Sequence, residues 1–168
     1  KAKKFKFKLT SKHEKIGNKN LRKIGIKNNK KFVTLHIRQY GWRNETRKKS
    51  NEKHRTPNPE NYLPAIKEII RKGYKVILVG NNNYHFPKIK NFYNYADSTI
   101  KSDIMDVYLA AKAKFCVANS SGFYPISKIF GTPVLLVDAP SHTDYLHLDE
   151  QDMYLPRLFC KEGNNKKE

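Results

Sequence analysis

The chain contains 168 residues with a formal net charge of +19, and 38% of its residues are hydrophobic. This hydrophobic fraction is sufficient for a folded core, so the composition excludes wholesale disorder. No apolar run reaches the roughly 18–20 residues that a membrane-crossing helix needs. The two cysteines, Cys116 and Cys160, are too few for a disulfide framework or a four-ligand zinc site, which favours a reducing, cytoplasmic setting.

The positive charge is concentrated in the first third of the chain. Residues 1–55 contain 20 Lys and Arg against three acidic residues, whereas residues 56–168 contain 14 against 12. A segment of this kind attracts polyanions, namely nucleic acid, anionic lipid or phosphorylated substrates. A second interpretation stays open. Of the 34 basic residues 27 are Lys, and Asn is also abundant. AT-rich codons encode both residue types, so part of the charge would then reflect genomic base composition at surface positions that tolerate substitution.

The first 31 residues show no sustained hydrophobic period. The alternation KFKFKL at residues 4–9 is typical of an edge strand, and residues 21–31 have the composition of a linker. We therefore predict a basic N-terminal arm and linker over residues 1–31, a Rossmann-like nucleotide-sugar-binding domain over residues 32–158 and a polar tail over residues 159–168.

From residue 32 onwards, apolar strand patterns alternate with helical ones. Five strands are predicted, at residues 32–37, 75–80, within 91–95, at 115–119 and at 133–138. Alternating strands and helices favour a mainly parallel sheet with right-handed crossovers and helices on both faces. The predicted fold is therefore α/β and Rossmann-like.

Capping residues mark the beginnings of the predicted helices. Asn58 and Pro59 precede an apolar stripe that Gly73 ends, and Ser102 with Asp103 begins the next helix. These signals separate the second strand from the first and the fourth from the third, as a βαβ arrangement requires.

Two polar clusters follow strands that a common strand order brings together. In the order 3-2-1-4-5 the first strand lies beside the fourth, and a ligand crevice opens between their carboxyl ends. His36 and Arg38 leave the first of these strands, and residues 119–122 leave the other and lead into a helix that runs to Gly131. The sequence therefore predicts that two clusters more than 80 positions apart face one crevice.

Both clusters have the chemistry of a phosphate site. Arg38 offers a permanently charged, planar set of donors that matches phosphate oxygens. The turn at residues 120–122 would expose N–H groups and hydroxyls at a helix N-terminus. Structural roles stay open for each residue taken alone: an N-cap for Ser121, a salt bridge for Arg38 and a hydrogen-bonded, non-catalytic imidazole for His36.

Several common sites are absent from the sequence. It contains no GxGxxG after the first strand, no GxxxxGK[ST] and no GxSxG, which argues against a standard dinucleotide site, a P-loop kinase and a nucleophile-elbow hydrolase. No metal-ligand spacing occurs either, and the stretch 149–152, in which three of four residues are acidic, is predicted to form a solvated turn. A diphosphate would therefore be met by Arg and backbone donors, and no metal site is predicted.

Five short motifs occur in an order that resembles a family of bacterial glycosyltransferases. They are His36-Ile37-Arg38, Tyr62-Leu63-Pro64-Ala65-Ile66, Gly73-Tyr74-Lys75-Val76-Ile77, Ser102-Asp103-Ile104-Met105-Asp106 and Ser120-Ser121-Gly122. The HxR motif is also similar to the fucosyltransferase pattern, in which the arginine contacts the diphosphate of a GDP-sugar. The resemblance covers residues 32–158 and implies a fragment, the C-terminal, donor-binding half of a GT-B enzyme.

The resemblance implies roles for individual residues. Arg38 would bind the donor diphosphate and stabilise it as it leaves, and His36 would be the second catalytic residue, ordering the same pocket. The implied donor-binding residues are Arg38, Gly80, Asn119, Ser120, Ser121 and Gly122. Ser102, Asp103 and Asp106 would support the site, with capping of a helix as the alternative for the two acids. No cofactor is expected besides the NDP-sugar co-substrate.

The expected function is transfer of a sugar from an NDP-sugar to an acceptor hydroxyl, without a metal, in surface polysaccharide or glycolipid synthesis. The partners would be the donor and a glycan or lipid-linked acceptor. The alternative is a nucleic-acid-binding module, in which aromatic residues among the basic ones would stack on bases; these are Phe5, Phe7, Tyr40 and Trp42. The basic arm would also suit an anionic membrane surface, which would place the protein at the inner membrane face.

Overall fold

The computed structural model describes residues 6–26, 31–39, 56–81, 84–141, 143, 146 and 148–159. Within these ranges the chain forms six strands: β1 Phe32–His36, β2 Lys75–Val79, β3 Phe92–Asn94, β4 Cys116–Ala118, β5 Val134–Ala139 and β6 Met153–Pro156. The same ranges contain four α-helices: α1 Ser11–Lys23, α2 Leu63–Arg71, α3 Asp103–Lys112 and α4 Phe123–Ile129. A 3₁₀ turn, Pro59–Tyr62, leads into α2.

The strands form one sheet in the order β3-β2-β1-β4-β5-β6, and every neighbouring pair is parallel. His36 pairs with Val79 of β2 on one side and with Ala118 of β4 on the other. The predicted order of the first five strands is therefore confirmed. The structure adds a sixth strand, β6, at the β5 edge of the sheet, because the residues after the acidic turn return alongside β5.

Helices cover both faces of the sheet, as predicted. Successive residues of a strand point to opposite faces, and Phe32 and Val33 of β1 accordingly belong to two separate apolar clusters. The first cluster joins the sheet to α1, α3 and α4, and the second joins it to α2. We call these the α4 face and the α2 face. Two buried layers of this kind hold the carboxyl ends of the strands in fixed register.

The first helix differs from the sequence-based prediction of an arm and linker. Residues 11–23 form α1, and the predicted edge strand is not formed at residues 6–9. The helix begins after Thr10, whose Oγ1 accepts a hydrogen bond from the backbone N of His13 at 3.3 Å. Most residues of this helix are polar and only a narrow side faces the core, so its sequence shows no clear helical period.

Helix α1 packs directly against α3. Gly17 lies so close to Tyr108 that a Cβ atom placed there would fall 2.0 Å from the ring. Tyr108 also donates a hydrogen bond from its Oη to Asn18 Oδ1 at 3.0 Å, and Leu21 is 1% exposed. Part of the predicted arm is thus docked on the α4 face, whereas the proposed domain boundaries stay predictions.

Candidate functional site

The side chains of His36 and Ser121 meet at the carboxyl edge between β1 and β4. Ser121 Oγ lies 3.0 Å from His36 Nδ1. The ring of Phe123, the first residue of α4, stacks on the imidazole with 5.5 Å between the ring centroids and 7° between the planes. A Cβ atom at Gly80 would lie 2.9 Å from both Cδ2 and Nε2 of His36. The imidazole is therefore held by Ser121, Phe123 and the backbone at Gly80.

The protonation state of His36 follows from this packing. Burial lowers the pKa of His36 from its ordinary value of 6.5 to about 4, and the charge of Arg38 adds to the decrease. The imidazole is consequently neutral near pH 7. A group with so low a pKa is a weak proton acceptor, because general bases work best when their pKa lies near the working pH. The geometry therefore gives His36 the role of holding the Ser121 hydroxyl in place.

The backbone of Arg38 is fixed from two directions. Its N–H donates to Asn119 Oδ1 at 2.8 Å, and its carbonyl accepts a hydrogen bond from Tyr84 Oη at 2.9 Å. Asn119 is fully buried, so the first of these bonds is shielded from water. The structure thus brings together the two segments that the sequence predicted to meet. Tyr84 was not predicted, since nothing in the sequence links it to residue 38.

The turn between β4 and α4 differs in detail from the prediction. The residue that caps α4 is Gly122, and no side chain makes a capping hydrogen bond there. Ser121 is therefore not an N-cap, and its hydroxyl meets His36 instead. Ser120 is 7% exposed, whereas a Cβ atom at Gly122 would meet nothing within 4 Å. The open side of this turn is thus at Gly122.

The three supporting residues lie at the start of α3. Ser102 caps this helix, with Oγ accepting from the N–H of Met105 at 3.4 Å. Asp103 is exposed and Asp106 is half-buried in the first turn, and burial raises the pKa of Asp106. Ser102 is therefore the N-cap of α3, and the two acids lie in the first helical turn, where their charge favours a helix N-terminus as the alternative for them states.

Lys101 connects this helix start to the site. Its Nζ donates to the carbonyl of Gly80 at 3.1 Å and also to Asn81 Oδ1. The same ammonium lies 5.7 Å from the centre of the Tyr95 ring. Because Gly80 packs against the imidazole of His36, the hydrogen bond from Lys101 fixes the backbone that contacts one side of this ring. Lys101 was not predicted at the site, because a single Lys in a basic chain carries no signal.

The described residues contain no group of three or more His, Cys, Asp or Glu side chains placed to hold a metal ion. None of the described helices is long and apolar enough to span a bilayer. Three aromatic residues of the basic region, Phe5, Tyr40 and Trp42, lie outside the described residues. Phe7 is 55% exposed and its ring lies 6.3 Å from that of Phe130. Binding of nucleic acid or membrane thus stays a prediction.

Comparison with known proteins gives matches at the level of structure. No protein-family model and no curated protein matches the sequence. The crystal structure of a glycosyl transferase of family 9 from Veillonella parvula DSM 2008 matches with a TM-score of 0.63 and 12% identity, over 96% of this chain and 48% of that one. Escherichia coli ADP-heptose LPS heptosyltransferase II matches with a TM-score of 0.64 and 14% identity, over 93% of this chain and 46% of that one.

The likeness confirms the predicted fold class. The chain has a Rossmann-like parallel sheet and spans about half the length of each glycosyltransferase chain that it matches. This is the arrangement expected for one half of a GT-B enzyme. With identities of 12% and 14%, the likeness concerns the fold, so the activity must be argued from the site.

Proposed function

We propose that the chain is the donor-binding half of a glycosyltransferase, which moves a sugar from an NDP-sugar to an acceptor hydroxyl. The observation that carries the proposal is the meeting of Arg38 with Asn119, and of His36 with Ser121, at the point where the strand order reverses. Open α/β sheets bind their ligands at this point. The fold shared with two glycosyltransferases supports the same conclusion.

The proposed mechanism depends on charge rather than on covalent chemistry. The bond between the sugar and the diphosphate breaks, the acceptor oxygen forms the new bond to the sugar, and the acceptor hydroxyl loses its proton. The guanidinium of Arg38 stabilises the negative charge that grows on the leaving diphosphate, and the hydroxyl of Ser121 donates to the same group. No metal is required in this scheme, because the permanent charge of Arg38 takes its electrostatic role.

The neutral His36 acts as a positioning residue in this scheme. Its Nδ1 and the Oγ of Ser121 share one hydrogen bond, and its low pKa keeps it uncharged during the reaction. Because a hydroxyl donates one hydrogen bond only, donation to a phosphate requires that His36 Nδ1 carries the proton and donates to Ser121 Oγ. The proton of the acceptor is therefore taken by another group, which we place outside this cluster.

We further propose that the acceptor is a glycan or a lipid-linked sugar of a cell-surface polysaccharide or glycolipid. One matched structure is named as a lipopolysaccharide heptosyltransferase, which supports an acceptor of this kind. The reaction would take place in the cytoplasm, with the basic N-terminal third drawn to anionic lipid at the inner membrane face.

The proposal is tested by binding. Calorimetry against ADP, GDP, UDP and CMP and their sugar conjugates should find at least one nucleotide sugar with a Kd in the micromolar range. Arg38→Ala should weaken this binding by tenfold or more, because a charge-assisted pair with phosphate is lost. The hydrogen bond to Asn119 uses the backbone of residue 38, so the variant keeps the local fold.

A matched control is available on the surface. Arg71→Ala removes an exposed guanidinium that pairs with Glu68 at 2.7 Å at the end of α2, just before the amino end of β2. Its affinity for the nucleotide sugar should equal that of the unaltered protein. The proposal is wrong if no nucleotide sugar binds, or if Arg38→Ala binds as tightly as Arg71→Ala.

A further inference from the structure

The outer side of α1 carries basic side chains in one line. At 3.6 residues per turn they fall within an arc of about 100° and extend over about 16 Å of the helix. Gly17 and Leu21, which are buried, lie on the opposite side of the helix. All five basic residues are exposed; they are Lys12, Lys15, Lys19, Arg22 and Lys23. We call them the basic row of α1.

No acidic side chain of α1 offsets this charge. Residues 6–26 contain seven Lys and Arg against one acid, Glu14. Glu14 pairs with Lys112 of α3, so its charge is already compensated. Within the part of the chain that the structure describes, no member of the basic row forms an ion pair. The basic row therefore concentrates positive potential along one line of the surface, which attracts polyanions.

Two exposed apolar side chains lie beside the beginning of α1. Phe7 is 55% exposed, and Ile129, the last residue of α4, is 45% exposed. The backbone N–H of Phe7 donates to the carbonyl of Ile129 at 2.9 Å, so the two residues are neighbours. Phe7, Lys8 and Ser11 line one cavity of about 260 Å³. The apolar pair of Phe7 and Ile129 therefore borders the first turn of α1.

This combination fits an anionic membrane better than it fits nucleic acid. Interfacial membrane binding combines apolar side chains that enter the headgroup region with Lys and Arg that contact anionic headgroups. Single-stranded nucleic acid is bound by aromatic rings on which successive bases stack. Helix α1 contains no Phe, Tyr or Trp among its basic residues, and Ile129 is aliphatic. The surface thus has the apolar and basic parts of a membrane contact without a stacking platform along the basic row.

The surface lies away from the proposed donor site. Helix α4 begins with Phe123, which stacks on His36 at the carboxyl edge of the sheet. It ends with Ile129, about 9 Å further along the helix axis. The chain then enters β5 at Val134, so the apolar pair lies near the amino edge of the sheet. A membrane in contact with this surface therefore leaves the crevice between β1 and β4 open.

We propose that the basic row of α1, together with Phe7 and Ile129, docks the protein on an anionic phospholipid membrane. The two apolar side chains enter the headgroup region, and the basic row contacts the anionic headgroups. The inference deepens the membrane association proposed above: it rests on that part of the proposed function and not on the donor site. It adds the docking surface and the orientation, in which α1 and the amino edge of the sheet face the lipid.

Removal of charge tests the basic row. In cosedimentation, vesicles of phosphatidylcholine mixed with phosphatidylglycerol should bind the unaltered chain, and vesicles of phosphatidylcholine alone should not. Each basic residue near an anionic surface strengthens binding by about fivefold, so the triple variant Lys12→Gln, Lys15→Gln and Lys19→Gln should bind about 100-fold more weakly. The control triple variant, with the same net charge, should stay within about fivefold of the unaltered chain. Its substitutions to Gln are at exposed positions elsewhere, namely Lys67, Lys72 and Lys88.

A second pair of variants tests the apolar contact. Phe7→Gln combined with Ile129→Gln should weaken vesicle binding by about tenfold or more, because less apolar surface leaves water on docking. The control combines Met153→Gln with Leu158→Gln, at positions that are 67% and 63% exposed, and should bind like the unaltered chain. Equal binding by the two double variants would overturn the role of the apolar pair. Thermal unfolding of every variant confirms that the fold is retained.

The remaining outcomes decide the partner. No binding to anionic vesicles, or equal losses for the two triple variants, would overturn the inference, since net charge alone would explain the second result. Oligouridylate that binds more tightly than vesicles, with a loss in the basic-row variant, would assign the row to nucleic acid and overturn it as well. Nucleotide-sugar affinity should be unchanged in all four variants. Vesicle binding without any nucleotide-sugar binding would contradict the donor site and leave this surface standing.

Discussion

His36 and Ser121 are 85 positions apart in the sequence, yet the Nδ1 of one lies 3.0 Å from the Oγ of the other. The contact exists because β1 and β4 are neighbours in the parallel sheet, so their carboxyl ends meet. It ties the turn before α4 to the end of β1, and a change that displaces the imidazole therefore also displaces the serine. The first two predictions concern the surroundings of this imidazole.

The stability of the protein should depend on pH through His36. Its pKa is about 4 in the folded state and near 6.5 in the unfolded chain. The unfolded state therefore binds more protons between these values, and stability that is present above pH 6.5 is lost as the pH falls towards 4. The loss is on the order of 3 kcal/mol at most. Denaturant unfolding at a series of pH values measures it.

Two variants isolate this contribution from that of other groups. His36→Asn keeps a polar group next to Ser121, but Asn does not titrate. The free energy of unfolding of this variant should therefore fall less between pH 6.5 and 4 than that of the unaltered protein. His85 is exposed, and His85→Asn should show the full pH dependence. Identical slopes for all three proteins would contradict the neutral, buried state of His36.

Gly80→Ala should destabilise the protein more than Gly73→Ala does. Both glycines have positive φ, +92° and +86°, so both substitutions strain the backbone, by about 1–2 kcal/mol. Only at Gly80 would the new Cβ atom also approach His36, at 2.9 Å, whereas nothing lies within 4 Å at Gly73. Equilibrium unfolding of both variants gives the difference. Equal losses would show that the imidazole does not lie against Gly80.

Replacing Gly17 with Ala should destabilise the protein, although Ala favours helices over Gly by about 1 kcal/mol. The added methyl group would overlap the ring of Tyr108, at 2.0 Å, and force α1 away from α3. Lys19→Ala, at an exposed position of the same helix, serves as the control and should leave stability within about 0.5 kcal/mol. A stabilised Gly17→Ala protein would mean that α1 is not docked in solution.

Loss of Lys128 should destabilise the protein at the acidic turn that precedes β6. The sequence predicts a solvated turn here, but the Asp152 side chain is fully buried and this part of the prediction is wrong. Asp152 accepts hydrogen bonds from Lys128, from the N–H of Asp149 at 2.7 Å and from that of Val134 at 2.8 Å. Lys128→Met leaves a buried carboxylate without its cation, which costs about 3–5 kcal/mol.

The matched control for Lys128→Met is Arg71→Met. Arg71 and Glu68 form a pair that is exposed on both sides, and such pairs contribute little because water screens them. Thermal unfolding should therefore show a large decrease for Lys128→Met and none that is resolvable for Arg71→Met. Similar effects of the two substitutions would count against a buried charge at Asp152.

Regular hydrophobic patterns determined most of the fold at the level of the sequence. The β-branched runs at β1, β2 and β5 and the caps at Asn58 and Ser102 were predicted to within one to five residues, because strand pairing and capping depend on local residue types. The alternation of strands and helices predicted a parallel sheet, and the common strand order 3-2-1-4-5 then predicted the meeting of residues 38 and 119. The helix α1 and the strand β6 were missed, because neither has a clear local period.

The surroundings of each side chain were decided by the tertiary structure alone. The sequence predicted His36 at the site, but burial lowers its pKa, and its hydrogen bond to Ser121 gives it a positioning role. The contacts of Lys101 with Gly80 and of Asp138 with Arg157 likewise join segments that are distant in the chain. Burial, pKa and partner choice depend on atoms contributed by several elements at once, and one stretch of sequence does not contain them.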